Sequence, residues 1–285
     1  MLSTVDFFWR TKHAVAKRVG RKPPGFRDFS ATLDPKLANR YPGHVAKLFF
    51  EHEGPIVNKW LHYLPVYDRV LSPHVGSKVR MLEIGVSRGG SLEMWRKFFG
   101  PDAVLFGIDI NPECARFDGL SGAVRIGSQA DPDFLRRVVK GMGGLDVVLD
   151  DGSHVASHQR ASFEALFPLL SDGGLYILED LHTAYWPWME GGLRRKGTAI
   201  EFLKDKIDAM HRHYMVAGTN RPESIPEIDS VQFFDSIAVL HKKRQLPRMN
   251  VMAGGLRYGS DGPRSHGARN LHAPPSTRHR LSNEP

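Results

Sequence analysis

The chain has 285 residues, 41% of them hydrophobic, which suits one α/β domain with extensions and gives enough apolar material for one sizeable core. A single cysteine, Cys114, excludes an internal disulfide framework, and no uninterrupted apolar run approaches the ~20 residues of a membrane-spanning helix, so a cytoplasmic protein is expected. The net charge of +8 sits at the ends, with +6 over residues 1–27, +7 over 242–285 and −5 between them; this argues against sequence-specific nucleic-acid binding and for solvated basic ends.

Residues 3–19 place Val5, Phe8, Trp9, Val15, Ala16 and Val19 near one helical face, with charges elsewhere, and lack the cleavage site of a secretion signal. Such an arm suits docking on the body, on a second subunit in a homo-oligomer, or peripherally on a membrane surface. Lys22-Pro23-Pro24-Gly25 reads as a linker, and residues 42–71 as helical, rich in aromatics and interrupted by Pro55 and Pro65. From residue 79 strands alternate with helices: strands at 79–84, 103–108, 123–127, 145–149 and 175–178, and helices at 91–99, 131–142 and 157–170. A loop over 181–197 and a helix at 198–215 come next, then two last strands within 231–243 expected to pair antiparallel. The fold class expected is α/β, a doubly wound, mostly parallel seven-stranded sheet of Rossmann-like type with an antiparallel last strand. Three regions are expected: a basic arm at 1–27, a catalytic domain at 28–245 with its cofactor core at 79–180, and a basic tail without periodicity at 246–285.

The turn Leu82-Glu83-Ile84-Gly85-Val86-Ser87-Arg88-Gly89-Gly90-Ser91 joins a strand to a helix and admits three ligands. A P-loop requires lysine where Ser91 stands, so nothing would hold the terminal phosphates. A dinucleotide fingerprint requires glycine where Ser87 stands, which weakens the reading as an NAD-dependent oxidoreductase. S-adenosylmethionine has no phosphate, and its sulfonium and amino groups are cationic, so Glu83 beside the turn suits it. The second strand ends on Asp109, where a carboxylate can accept both ribose hydroxyls. Glycine turns and strand-ending acids also occur in α/β proteins without such a ligand.

The fourth strand runs into Val147-Val148-Leu149-Asp150-Asp151-Gly152-Ser153-His154. Asp-Gly is ordinary turn chemistry, but carboxylates followed by a histidine also suit a cation beside a proton acceptor, and this stretch alone does not decide. The fifth strand ends on Glu179 and Asp180, and in an open α/β sheet the carboxyl ends of the strands face the ligand crevice. Neighbouring fourth and fifth strands would gather Asp151, Glu179 and Asp180, with Asp150 at the rim, and hard oxygen ligands without cysteine favour Mg²⁺, or Mn²⁺ in its place.

With these residues in view, 79–190 resembles the class I S-adenosylmethionine-dependent methyltransferases, and DDGSH with GGLYILEDLHTAYW resembles the metal-dependent macrocin- and mycinamicin-type sugar O-methyltransferases. The resemblance implies Asp151, Glu179 and Asp180 as metal ligands and His154 as general base toward a sugar hydroxyl. It implies Glu83, Gly85, Ser91, Asp109, Ser128, Gln129 and Asp150 around the cofactor, with Tyr67 capping it from the preceding helix. His182, Tyr185 and Trp186 are candidates for the acceptor pocket, since aromatic faces suit a sugar ring; such residues are also common in cores. The acceptor expected is a sugar-bearing small molecule or glycolipid. A methyltransferase-fold relative acting on a non-sugar acceptor and a non-catalytic binding relative are the other readings.

Overall fold

The computed structural model describes residues 29, 31–219 and 227–251; the amphipathic arm at 3–19, the linker at 22–25 and the tail beyond 251 lie outside them. The chain divides into two units, 1–246 and 247–285, and every strand and helix named below belongs to the first.

Among the described residues seven strands form one sheet: β1 Arg80–Ile84, β2 Val104–Asp109, β3 Ala123–Ile126, β4 Val147–Asp150, β5 Leu175–Leu178, β6 Ile228–Phe234 and β7 Ile237–Lys242. Their spatial order is β3-β2-β1-β4-β5-β7-β6. The first five run parallel, and β7 lies antiparallel between β5 and β6. The sheet reverses its direction of growth between β1 and β4, which opens a crevice at their carboxyl ends.

Six α-helices of the described residues cover the two faces: α1 His44–Phe50, α2 Leu64–Leu71, α3 Gly90–Phe99, α4 Pro132–Met142, α5 Ala156–Leu166 and α6 Ala199–His211. Successive strand residues point to opposite faces, so each strand contributes to both cores. Met81, Leu105, Val147, Leu149, Leu175 and Ile177 pack against α1, α2 and α3, on Val45, Leu64, Tyr67, Trp95 and Phe99. Leu82, Ile108, Val148, Tyr176 and Leu178 pack against α4, α5 and α6, on Leu135, Val139, Phe163, Leu166 and Leu203. Continuous burial of β4 and β5 results from cover on both sides.

Local chemistry sets the helix ends. Asp131 caps α4 by accepting from the amides of Asp133 and Phe134, and Gly143 closes it at φ 74°. Thr198 caps α6 by accepting from the Glu201 amide. The helical expectation over 42–71 divides differently from the proline count: α1 ends at Phe50, residues 51–60 form no helix, and Leu61–Tyr63 is a 3₁₀ turn leading into α2. Pro65 begins α2 rather than interrupting it, because proline in a first turn sacrifices no helical hydrogen bond. Among the described residues no helix is long and apolar enough to cross a membrane.

Candidate active site

Strand periodicity decides where each acid points. In β4, Val148 faces the α5 layer and so does Asp150 two residues on; Asp151 follows Leu149 to the α2 layer. In β5, Glu179 follows Ile177 to that same α2 layer, and in β1 Glu83 follows Met81 there. The backbone carries the register past the strand ends, with the Asp151 amide donating to the Ile84 carbonyl and the Glu179 amide to the Asp150 carbonyl, both at 3.0 Å.

One buried ammonium meets this row of acids. Lys59 Nζ donates to Asp151 Oδ2 at 2.6 Å and to Glu179 Oε1 and Oε2 at 2.9 and 3.1 Å. Burial works against its charge, but Asp151, Glu179 and Glu83 outweigh that and raise its pKa. Tyr67 donates its hydroxyl to Glu179 Oε1 at 2.6 Å, and burial raises the Glu179 carboxyl well above its ordinary range against the opposing charge of Lys59. Tyr63 donates to Asp180 Oδ1 at 2.9 Å. The oxygens left over converge: His154 Nε2 lies 3.7 Å from Asp151 Oδ1 and 3.5 Å from Asp180 Oδ2. Asp151, His154 and Asp180 each offer one ligand atom within 4.8 Å of the others. His154 Nδ1 is buried without a hydrogen-bond partner.

His154 precedes α5 rather than starting it and stands at φ 58°, as Asp180 does at φ 56°. Non-glycine residues seldom adopt this left-handed region, and two of them flanking one point mark a constrained site. Lys59 reaches the acids from the segment 51–60, which crosses the start of α3 so closely that a Cβ at Gly90 would run into the Pro55 carbonyl.

The cofactor candidates divide into a shaped turn and a hidden layer. Gly85 turns at φ 98°, and a Cβ there would collide with the Asp151 carbonyl, so the glycine turn and the DDGSH loop touch directly. Asp109 accepts from the Ser87 and Asn111 amides at 2.9 and 2.8 Å and so fixes the loops after β1 and β2. Glu83 is wholly buried behind Ser91, which donates to it at 2.8 Å, with Trp95 Nε1 at 3.3 Å; burial raises its pKa to about 7 despite Lys59. Ser128 accepts from the Ala130 amide, and Gln129 accepts from the Ser153 amide at 2.6 Å while donating to Asp150.

Two expectations need correction. Asp150 is not at the rim: it is 0% exposed and accepts from Gln129, Ser162 and Tyr176 at 3.1, 2.6 and 2.7 Å, because strand alternation turns it into the α5 layer. Tyr67 does not cap the crevice from outside; it is 0% exposed and its hydroxyl is committed to Glu179.

Beside the carboxylates lies an aromatic row. The His182 ring packs against Trp60 and Trp186 at centroid distances of 5.4 and 5.0 Å, and Trp186 against Trp188 at 5.4 Å. His182 Nδ1 is 2.6 Å from Ser236 Oγ, and burial lowers its pKa. Tyr185 is half exposed. Lys59, Trp60 and Trp188 are the site residues that sequence reasoning missed; the signal available was KWLHYLPVY, where Lys59, Tyr63 and Tyr67 recur every fourth residue.

Residues 82–181 match the family model described as a methyltransferase domain. The chain is 36% identical over 225 residues to an 8-demethyl-8-(2-methoxy-alpha-L-rhamnosyl)-tetracenomycin-C 3'-O-methyltransferase of Streptomyces olivaceus, covering 73% of this chain and 56% of that one. It is 37% identical over 198 residues to a mycinamicin VI 2''-O-methyltransferase of Micromonospora griseorubida, covering 65% of this chain and 49% of the relative. The chain thus spans about half the length of these curated relatives. Among solved structures, MycE methyltransferase from the mycinamycin biosynthetic pathway, in complex with Mg and SAH, superposes with a TM-score of 0.65 at 34% identity over 72% of this chain and 56% of that one. Residues 82–181 are therefore a methyltransferase domain within a seven-stranded methyltransferase-type sheet, and the chain is similar to the macrocin- and mycinamicin-type sugar O-methyltransferases.

Proposed function

We propose that the chain is a cytoplasmic, S-adenosylmethionine- and Mg²⁺-dependent O-methyltransferase acting on a hydroxyl of a sugar carried by a small molecule. The observation that carries this reading is the convergence of Asp151 Oδ1, Asp180 Oδ2 and His154 Nε2 at the carboxyl ends of β4 and β5, beside the glycine turn of β1. The donor set fits a hard divalent cation. Asp151, Glu179 and Asp180 offer hard carboxylate oxygens, Lys59 pairs with Asp151 and Glu179, and the set contains no sulfur ligand.

When bound, S-adenosylmethionine supplies an activated methyl group, and a divalent cation supplies charge that acidifies a hydroxyl. Asp151, Glu179 and Asp180 would hold the cation, with Asp151 Oδ1 and Asp180 Oδ2 the oxygens already free of protein donors. His154 would take the hydroxyl proton at Nε2, which stands 3.7 Å from Asp151 Oδ1 and 3.5 Å from Asp180 Oδ2. The Gly85 turn, Ser91 backed by Glu83, Asp109, Ser128 and Gln129 frame the cofactor's place. Trp60, His182, Trp186 and Tyr185 offer faces to the acceptor. The chain's work is mostly placement, since the methyl donor is intrinsically reactive.

The test is transfer of labelled methyl groups to a panel of rhamnosyl and other glycosyl small molecules, before and after chelation. Incorporation that stops on chelation and returns with Mg²⁺ supports the reading; full turnover in chelator, or calorimetric binding of NAD but not S-adenosylmethionine, overturns it. A catalytic unit at 28–245 and a homo-oligomer assembled or held at a membrane through residues 1–27 belong to the same proposal. Light scattering and vesicle sedimentation with and without that arm check them.

A further inference from the structure

Each acid has two oxygens, and for Asp151, Glu179 and Asp180 the structure commits some of them to a single stretch of chain. Lys59, Tyr63 and Tyr67, four residues apart, take Asp151 Oδ2, Asp180 Oδ1 and Glu179 Oε1 respectively, and Lys59 also spans both oxygens of Glu179. All three side chains are anchored: the Lys59 side chain is 2% exposed, and Tyr63 and Tyr67 are wholly buried. The single Tyr63 hydroxyl proton is shared between Asp180 Oδ1 and the Ser236 carbonyl, each 2.9 Å away, while its oxygen accepts from the Asp180 amide at 3.2 Å; the ring sits edge-on to Tyr67 at 6.2 Å. A donor of this kind, one layer behind the ligands, fixes a carboxylate's rotation and thereby which oxygen remains for a ligand.

We propose that Lys59, Tyr63 and Tyr67 are positioning residues for a divalent cation, because they hold Asp151 Oδ2, Asp180 Oδ1 and both oxygens of Glu179 and leave Asp151 Oδ1 and Asp180 Oδ2 turned together toward His154. The inference rests on the functional reading above and deepens it: the stretch 59–67, which bears none of the metal-binding carboxylates, sets the geometry of the metal site. Lys59 also places a positive charge between Asp151 and Glu179, so the acids stay together before a cation arrives.

The measurement is Mn²⁺ affinity of the full chain without acceptor, by electron paramagnetic resonance, for the parent and for Tyr63→Phe, Tyr67→Phe, Lys59→Met and Lys59→Arg. The tyrosine variants remove one hydroxyl each and keep the ring in the core. Tyr63→Phe and Lys59→Met should weaken Mn²⁺ binding about 10–100-fold, the usual effect of losing an outer donor to a ligand, and Tyr67→Phe should weaken it as well. Lys59→Arg, which restores the charge, should recover part of the affinity. Melting curves within a few degrees of the parent show that the tyrosine variants fold, so the proposal stays testable if Lys59→Met does not. Parent-like affinity in Tyr63→Phe, or tighter binding in Lys59→Met as expected of a mere competing cation, overturns the proposal. A parent chain that binds no Mn²⁺ overturns the functional reading beneath it.

Discussion

Replacing His154 separates a proton acceptor from a packed turn. The imidazole Nε2 stands 3.7 Å from Asp151 Oδ1 and 3.5 Å from Asp180 Oδ2. A positioned base contributes about 10²–10⁴-fold, or ~3–5 kcal/mol of barrier, so His154→Ala should lower kcat by that factor. Its effect on stability should be small, because Nδ1 already lacks a partner and its removal leaves no donor stranded. The backbone at φ 58° favours a second variant, His154→Asn, since asparagine tolerates the left-handed region better than alanine and still supplies no base. Rates of labelled methyl transfer at saturating Mg²⁺ and cofactor, from pH 6 to 9, give kcat and KM separately. Cofactor affinity should change little, since the β1 turn is held by Asp109 and the Ile108 carbonyl. Both variants retaining more than about a third of the parent rate with metal bound would refute the reasoning.

Asp146 checks the stability side at the opposite end of the sheet: burial opposes its ionisation, but hydrogen bonds from Arg80 outweigh this and hold its pKa at about 2 against the ordinary 3.8. That stabilisation is present above 3.8 and lost as pH falls through 2, so Asp146→Asn should cost about 2 kcal/mol in denaturant melts at pH 7, and the gap should close near pH 2. Glu83 has the opposite sign. Burial raises it to about 7, so its contribution is full below 4.5 and is lost as pH rises to 7. The parent should then lose up to about 3 kcal/mol relative to Glu83→Gln between pH 5 and pH 8, and parallel stability curves would show that Glu83 is not buried as described. The adjacent acids should part company: Asp150→Asn cannot accept from all three of its donors and should cost about 1–3 kcal/mol of stability with Mn²⁺ affinity largely kept, whereas Asp151→Asn should chiefly weaken Mn²⁺ binding. Crossed outcomes in melting and Mn²⁺ titration would reverse their assignments.

The sheet was legible because each strand is a short apolar run and each crossover helix has its own stop signal, such as Gly100 after α3 or Gly143 after α4. The acids at the ends of β4 and β5 were legible for the same reason: a buried strand that stops on charge announces its carboxyl end. Lys59 was not. It lies 92 and 120 residues from its two partners, and its pairing is created only when α2 packs under β4 and β5. Trp60 escaped notice in the same way, its ring meeting His182 only in the folded chain. The misplacement of Asp150 was avoidable, since counting by twos from Val148 sends it into the α5 layer.

That counting explains why the chain ends β4 on two adjacent like charges. Adjacent strand residues face opposite layers, so Asp150 and Asp151 are separated by the sheet and meet different partners. Asp150 spends its charge on three internal donors, one of which, Gln129, also accepts from the Ser153 amide at 2.6 Å and so ties the loop ahead of His154 to the core. Asp151 gives one oxygen to Lys59 and keeps the other toward His154. The first carboxylate holds the loop in a conformation with His154 at φ 58°, a strain that loose packing would not sustain, and the second supplies the charge that the strained histidine faces. A single acid could not do both, because the two layers lie on opposite sides of one buried strand.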